Sequence, residues 1–287
     1  MKIIKNFTKK VLHNILPKNR FGDYVYSFIS FVVNHKRLPK KKKFFNDYLY
    51  KIKITNEILD PLRVFVSDKE LVKLYVKSVI GEKFNVPTIK ILKNFNEVKN
   101  FKFPYKCVIK PTHLSGHVII KKNKSIDYNK INKWFLINHY ERSREANYKT
   151  LKPKVIVEPI LFNNVNLMDY KIFCYNGIPK LICVDIDRYV DDGKKHKRKY
   201  FDINWRELNF SISYPRYEGK INKPKNLKNM LNISAKLSSN FDFIRIDLYT
   251  NHNQIFLGEI TNLSDGASGQ FYSTREEKLC SELLFKY

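Results

Sequence analysis

Two neighbouring segments near the C-terminus constrain this chain most: Phe243-Ile244-Arg245-Ile246-Asp247-Leu248-Tyr249 and Ile255-Phe256-Leu257-Gly258-Glu259-Ile260-Thr261. Both alternate apolar and polar residues with the two-residue period of a β-strand, and the short polar spacer between them reads as a hairpin turn. On that period Ile244, Ile246 and Leu248 share one face, as do Phe256 and Ile260 on the partner. The other face carries Arg245 with Asp247, and Glu259 with Thr261. Charges in the middle of apolar strands are expensive unless something compensates them. Two compensations fit: a buried Arg245–Glu259 pair, or Asp247 and Glu259 holding a divalent cation with Arg245 facing an anion beside it. Opposed residues of an antiparallel hairpin point to one face, so Asp247 and Glu259 share a face only if paired positions sum to an even number. A three-residue loop, Asn251-His252-Asn253, closed by Thr250 and Gln254, meets this condition. It sets Asp247 opposite Leu257 and Arg245 opposite Glu259, with the two carboxylates as diagonal neighbours roughly 7–8 Å apart at the backbone.

The rest of the chain has the material to bury such strands. It has 287 residues, of which 43% are hydrophobic and 14% aromatic, which excludes wholesale disorder. The longest apolar stretch, Tyr24 to Val33, is about half the roughly 20 residues a spanning helix needs. The basic N-terminus leads into no uninterrupted apolar core, so a cleaved signal peptide is not expected. The expectation is a soluble, cytoplasmic protein. The net charge of +27 comes from 43 Lys and only 11 Arg, beside 29 Asn. Lys and Asn share A-rich codons, so the basicity does not by itself indicate a polyanion partner, and no specific nucleic-acid ligand is expected. Cys107, Cys174, Cys183 and Cys280 have no C-x-x-C spacing and read as buried free thiols of a reducing compartment.

No repeat or linker divides the chain. Residues 2–16 place Ile3, Ile4, Phe7, Val11, Leu12, Ile15 and Leu16 at helical spacing, and the basic cluster Lys36 to Lys43 follows an aromatic stretch from Phe21 to Val33. This combination reads either as a helix packed on its own domain or as a dock for an anionic membrane surface. Glu70–Gly81, Tyr128–Asn147 and Pro224–Ser239 read as helices. Strands are read at Cys107–Ile109, Val118–Ile120 and Lys154–Val157, with a hairpin over Asp169–Ile186 turning at Asn176-Gly177. Helices mixed with hairpins predict an α+β fold.

Three further motifs carry chemistry. Val108-Ile109-Lys110-Pro111 precedes a loop containing Ser115-Gly116, where a strand-end lysine and loop amides can contact phosphates; it is not a P-loop. Val155-Ile156-Val157-Glu158-Pro159-Ile160 is a strand running into a proline, able to offer backbone groups to an adenine edge and Glu158 as an acceptor. Asp185-Ile186-Asp187 has the D-x-D spacing that holds a metal and a nucleotide-sugar diphosphate in glycosyltransferases, with Lys194, Lys195, Lys197, Arg198 and Lys199 nearby.

In order, these pieces resemble the ATP-grasp superfamily, in the branch named for teichuronopeptide biosynthesis and found among polysaccharide-assembly proteins. The resemblance runs from Ser67 to Tyr272. It takes in Asp68-Lys69, the Lys110 strand with Ser115-Gly116, Tyr148-Lys149, the Glu158 strand, Asp169-Tyr170-Lys171-Ile172-Phe173, Asp185-Ile186-Asp187-Arg188, Tyr200-Phe201-Asp202 with Trp205, and the C-terminal hairpin. It implies two α+β subdomains clamping ATP, at 67–155 and 156–287, after a basic, partly helical segment at 1–66. It implies ATP and Mg²⁺ as cofactors. Lys110 would touch the ATP phosphates, with Ser115 and Gly116 in the covering loop. Glu158 and Ile160 would line the adenine and ribose pocket, and Lys171, Asp169 and Arg188 would join the nucleotide contacts. Asp247, Glu259 and Thr261 would hold the metal, and Arg245 would face the transferred phosphoryl group. The implied reaction joins a carboxylate, such as a uronic acid of a cell-surface polysaccharide precursor, to an amine such as an amino acid, through an acyl phosphate. Rival readings are a glycosyltransferase using Asp185 and Asp187, a phosphotransferase of the same pathway, and a non-enzymatic basic protein binding membrane or nucleic acid.

Overall fold

The computed structural model describes residues 12–13, 15–41, 44–122, 125–164, 167–186, 196–251 and 253–286. Its strands are β1 (Lys90–Leu92), β2 (Cys107–Pro111), β3 (Ile119–Lys121), β4 (Val155–Glu158), β5 (Asp169–Tyr175), β6 (Ile178–Ile186), β7 (Lys197–Asp202), β8 (Glu207–Leu208), β9 (Phe243–Thr250) and β10 (Ile255–Thr261). They form a four-stranded sheet in the order β1-β4-β2-β3 and a six-stranded sheet in the order β10-β9-β5-β6-β7-β8. Every strand pair is antiparallel, and helices pack on the sheets' faces, so the chain is of the α+β class that its mixture of helices and hairpins predicts.

The two faces of the large sheet have different fates. Ile172, Ile182, Val184, Ile244, Ile246 and Leu248 point to helices Leu71–Val79 and Leu227–Ser238, where Val76, Met230 and Leu237 are fully buried against them. On the opposite face Phe173, Leu181, Cys183 and Phe243 are covered by helices Phe45–Ile54 and Thr274–Phe285, with Phe45 5.9 Å from both Phe173 and Phe243, ring to ring. One period further along each strand that cover ends, and Arg245, Asp247, Lys171 and Asp185 take the same face. The small sheet buries Cys107, Ile109, Val155 and Val157 under Val98, Ile131 and Trp134, leaving Val108, Lys110 and Glu158 on its other side. All four cysteines are buried free thiols. Among the described residues no helix is long and apolar enough to cross a membrane.

The N-terminal aromatic stretch forms the helix Arg20–His35, which is packed on the domain. Its Asp23, 2% exposed, accepts from the Tyr140 hydroxyl (2.9 Å) and Arg144 Nη1 (3.3 Å), and Arg144 also donates to the carbonyls of Leu16 and Pro17. Arg37 of the basic cluster is not a solvated charge, since it pairs with Asp47 and Glu277. Residues 2–11 of the amphipathic pattern, with Lys42 and Lys43, lie outside the described residues. The turn at Asn176-Gly177 puts both residues at positive φ (48° and 73°), as a two-residue hairpin loop requires.

Two expectations are corrected. The continuous helix over Tyr128–Asn147 is instead Tyr128–Phe135, His139–Ser143 and a single turn at Ala146–Tyr148. Asn138 caps the second piece by accepting from the Tyr140 amide, and Arg144 ends it in the left-handed region at φ 54°. In the C-terminal hairpin, pairing starts at Thr250↔Ile255, giving a four-residue loop, and a β-bulge at Gly258 then restores even parity. Asp247 therefore opposes Glu259 directly and Arg245 opposes Thr261, whereas the three-residue loop had set Asp247 against Leu257 and Arg245 against Glu259. The bulge also separates Phe256 from the face of Ile260, and Phe256 packs on Phe162 instead (5.6 Å between rings).

The bulge residue tolerates no side chain, because a Cβ on Gly258 would lie 2.6 Å from the Tyr249 ring. Gly258→Ala should lower stability by about 1–3 kcal/mol in urea denaturation. In a double-mutant cycle with Tyr249→Ala the two losses should fall short of additivity, because removing the ring removes the clash. Full additivity would show that the clash is not the cause.

Candidate functional site

The uncovered part of the large sheet is a lattice of buried charges set by strand register. Lys171 opposes Asp247, Asp169 opposes Asp185, and Asp185 opposes Arg198. Asp247 accepts from Arg245 Nε at 2.7 Å and Nη2 at 2.8 Å, and from Lys171 Nζ at 2.8 Å. Lys171 also meets Asp169 at 2.5 Å and Asp185 at 3.7 Å, while Arg198 Nε donates to Asp185 at 2.7 Å. The pairing partner of Arg245 is thus Asp247 on its own strand; Glu259 stands off at 3.9 Å. Burial alone would lower the Arg245 pKa, but Asp247 and Glu259 outweigh it and hold the guanidinium well above its ordinary value.

This lattice floors a cleft of about 440 Å³. Its walls include Ser115 and Gly116 of the small sheet's loop, Tyr148 of the linker between the sheets, and Glu259 and Thr261 of β10. The Glu259 carboxylate is 29% exposed and so accessible from the cleft. Thr261 donates its hydroxyl proton to Glu259 (2.8 Å) and accepts from Arg245 (3.0 Å), which orients the carboxylate. Among the described residues no three His, Cys, Asp or Glu side chains converge as a self-sufficient metal cage. Two directly opposed carboxylates, one buried and one accessible from the cleft, instead fit Mg²⁺, which keeps waters and completes its shell with substrate phosphates.

A second, apolar slot lies between the sheets, lined by Val86, Val108, Val118, Ile120, Ile160 and Tyr249. Its polar end is Glu158, 4% exposed, which pairs with Lys110 at 2.5 Å and Lys73 at 2.6 Å. Burial would raise the Glu158 pKa, but Lys110 and Lys73 more than reverse this and hold it below the usual carboxylate range.

Of the residues singled out in the sequence, Ser115, Gly116, Lys171, Arg245, Glu259 and Thr261 line the cleft, with Asp247 buried behind Arg245 and Lys171, and Lys110, Glu158 and Ile160 line the slot. Asp169 sits beneath, 1% exposed, as a partner of Lys171. Arg188 and Asp187 lie outside the described residues, and Asp185 is held by Arg198 and Lys171. The sequence left Lys69 and Lys73 without a role. Lys69 reaches between the two sheets, donating to the Leu114 carbonyl at 2.6 Å with Glu259 at 3.9 Å. Burial lowers its pKa, and Lys110 adds to the lowering against the opposing pull of Glu259. Lys69 enters the resemblance beside Asp68 with no role attached, and among 43 lysines nothing marked Lys73; their one-turn spacing on or beside the Leu71–Val79 helix becomes informative only once Glu158 and Glu259 are placed in space.

Residues 49–284 match the TupA-like ATP-grasp family. No curated protein matches the chain. Among solved structures, the chain is similar to a D-alanine–D-alanine ligase from Helicobacter pylori, at 16% identity and a TM-score of 0.42, covering 78% of this chain and 60% of that one. It is also similar to an L-amino acid ligase from Bacillus licheniformis, at 12% identity and a TM-score of 0.46, covering 78% and 51%. A phosphoribosylamine–glycine ligase from Thermotoga maritima gives 14% identity and a TM-score of 0.44, covering 69% and 48%. The chain therefore spans 60% or less of the length of these enzymes.

The depressed Glu158 pKa has a defined pH signature. Its contribution to stability is complete above the ordinary value of 4.5 and is lost as pH falls through the lower folded value. Glu158→Gln should therefore destabilise the protein at pH 7 and approach the parent's stability as the solution is acidified, in urea melts across that range. A gap that stays constant into acid would show that Glu158 is not held ionised by its lysines.

Proposed function

This chain belongs to the TupA-like ATP-grasp family, and on that premise we propose that it is an ATP-dependent carboxylate–amine ligase. The observation that carries the reading is the meeting of Lys69, Arg245 and Lys171 with the opposed Asp247–Glu259 pair around one cleft, next to an apolar slot ending in Lys110. The slot suits an adenine ring, with Ile160 and Tyr249 as its apolar walls and Glu158 as an acceptor. Lys110 and Lys69 then neutralise the phosphates, with Lys171 behind them, and the Ser115–Gly116 loop covers them; Gly116, at φ 75°, is free to turn its backbone toward the anion. Asp247 and Glu259 would hold Mg²⁺, which when bound draws charge from the phosphates. Arg245 is fixed by Asp247, Thr261 and Ser264, so it meets the transferred phosphoryl group without reorganising.

A substrate carboxylate oxygen attacks the γ-phosphorus and ADP leaves. The neutral amine nitrogen then attacks the acyl carbon, the C–O bond to phosphate breaks, and the proton lost by the nitrogen leaves with the phosphate. No side chain becomes covalently attached; the protein aligns two substrates and holds charge. A uronic acid of a cell-surface polysaccharide precursor as the carboxylate, an amino acid as the amine, and a cytoplasmic site of action are readings that rest on the family. A peripheral seat on an anionic membrane is favoured by one observation: Phe21 (69% exposed) and Tyr24 (47%) project from the Arg20–His35 helix, with exposed Lys18 before it and Lys36, Lys40 and Lys41 after it. Binding to anionic liposomes at low salt, released at high salt and absent from neutral liposomes, is expected; equal binding to both kinds removes the idea.

Product analysis tests the ligase reading: ADP, phosphate and an amide are expected, whereas UDP release or phosphate retained on the sugar would point to the transferase rivals. Lys110→Ala should weaken ATP binding about tenfold or more in calorimetry with the fold intact. Glu259→Gln should reduce ADP formation by roughly 100-fold with little change in melting temperature. Normal nucleotide affinity in a folded Lys110→Ala variant would remove Lys110 from the site.

A further inference from the structure

The acids that line the cleft are unequally compensated. Asp185 meets Arg198 at 2.7 Å, and Asp265 meets Arg198 at 3.3 Å and the Ser213 hydroxyl at 3.0 Å. Glu259 has the Thr261 hydroxyl at 2.8 Å, and Lys69 and Arg245 each at 3.9 Å. Glu145 differs from all of these. It is 8% exposed and lines the cleft. Among the described residues no Lys or Arg nitrogen lies within 4.0 Å of its carboxylate. His139 Nε2 stands at 3.6 Å, beyond hydrogen-bond range. In a chain with 54 Lys and Arg against 27 Asp and Glu, a nearly buried carboxylate with no such cation calls for a partner, because buried charges are paired or pay heavily for standing alone.

The backbone that carries Glu145 is tightly fixed. Arg144 before it is fully buried in the left-handed region and tied to Asp23, Leu16 and Pro17. Asn147 after it donates to Ser67 Oγ at 2.8 Å, where Asn262, next to the end of β10, also donates at 3.1 Å. A side chain at Gly266 would stand 3.3 Å from Glu145 Oε1, so the β10 exit turn closes against the carboxylate. Tyr148 lies between Glu145 and the phosphoryl end: burial raises its pKa, Glu145 and Glu259 raise it further, and Arg245 opposes them. Its ring lies 4.5 Å from that of His139. Lys53, whose Nζ donates to the Gly266 carbonyl at 3.2 Å, and Arg142 also line the cleft, but neither reaches within 4.0 Å of the Glu145 carboxylate, which stays available to a cation. A lone carboxylate with aromatic neighbours and no further oxygen cluster suits an organic ammonium better than a metal ion.

We propose that Glu145 binds the ammonium group of the amine substrate, seating a primary amine in the cleft beside the packed His139–Tyr148 ring pair. The substrate class is a small primary ammonium compound, and its placement rests on the ligase reading above.

The test separates the two steps of the reaction. Hydroxylamine is largely uncharged at neutral pH and traps an acyl phosphate as a hydroxamate without needing an ammonium site. In the presence of Mg·ATP, a uronic acid and a panel of primary amines, Glu145→Gln should raise the KM for the amine about 30-fold or more, while hydroxamate formation stays within about twofold of the parent. Glu145→Asp should recover part of the amine KM, which a merely structural role would not predict, and melting curves confirm that both variants fold. Equal loss of hydroxamate and amide formation would overturn the proposal, as would an unchanged amine KM. If the parent forms no ADP with any carboxylate, the ligase reading fails separately. Binding of n-propylammonium to the Mg·ADP-loaded protein, followed by NMR saturation transfer, then decides: signal in the parent and none in Glu145→Gln supports the site, and equal or absent signal in both refutes it.

Discussion

Asp247 is the residue on which the architecture of the cleft turns. It lies in a central strand of the large sheet, 3% exposed, and its two oxygens accept from Arg245 and Lys171. A carboxylate in that position is tolerable only because both cations converge on it, and each cation is tolerable only because of the carboxylate. The consequence spreads outward through register. Fixing Lys171 on Asp247 fixes Asp169 beside it, and Asp169 stands opposite Asp185, which in turn holds Arg198. Four strands are thereby locked at a charged row where hydrophobic packing, indifferent to sliding by a pair of residues, would specify less.

The same face is apolar at one end and ionic at the other, and the boundary decides where a ligand can go. Phe243, Phe173 and Leu181 lie buried under the helices Phe45–Ile54 and Thr274–Phe285. One period along the strands the helices have passed, and the face opens beneath the N-terminal helix and the 136–150 linker. These two segments are tied to each other by the buried Arg144–Asp23–Tyr140 group. The linker is in turn tied to the end of β10 through Asn147, Ser67 and Asn262. The cleft is therefore bounded on each of these sides by polar bonds in dry surroundings, where each bond is strong and its loss is costly.

How much of this was legible beforehand depended on the range of the interaction. The charged hairpin, the Asn176-Gly177 turn and the buried thiols follow from local pattern, and the motif order pointed to the family the chain belongs to. Register was legible in its requirement but not in its means: Asp247 and Glu259 share a face, yet through a bulge at Gly258, because a glycine in a strand advertises a bulge without stating its position. The helix read over 128–147 broke because Asn138 and Arg144 cap and stop it, while the apolar periodicity runs on through the break. The roles of Lys69, Lys73 and Glu145 were illegible for another reason. Their meaning lies in which charge stands opposite, or in none standing there, and no one-dimensional pattern in a lysine-rich chain encodes that.

The charge balance of the cleft gives the proposed chemistry a physical direction. On the floor, Asp169, Asp185 and Asp247 are interleaved with Lys171, Arg198 and Arg245, so acids and cations alternate along the charged row. Facing it across the gap stand Lys69 and Lys110, and Lys110 shares Glu158 with Lys73. A nucleotide phosphate arriving from the slot can draw Lys110 away while Lys73 remains on Glu158, so no buried carboxylate is stranded by the exchange. Drawing Lys171 off would instead break its bonds to Asp169 and Asp247 together, at a greater electrostatic cost. Mobile compensation therefore belongs to the slot and fixed compensation to the sheet. The anion of the nucleotide and the carboxylates of Asp247 and Glu259 repel unless a cation lies between them, and the solvent-accessible carboxylate of Glu259, opposite Asp247, is where the proposed Mg²⁺ would resolve that repulsion.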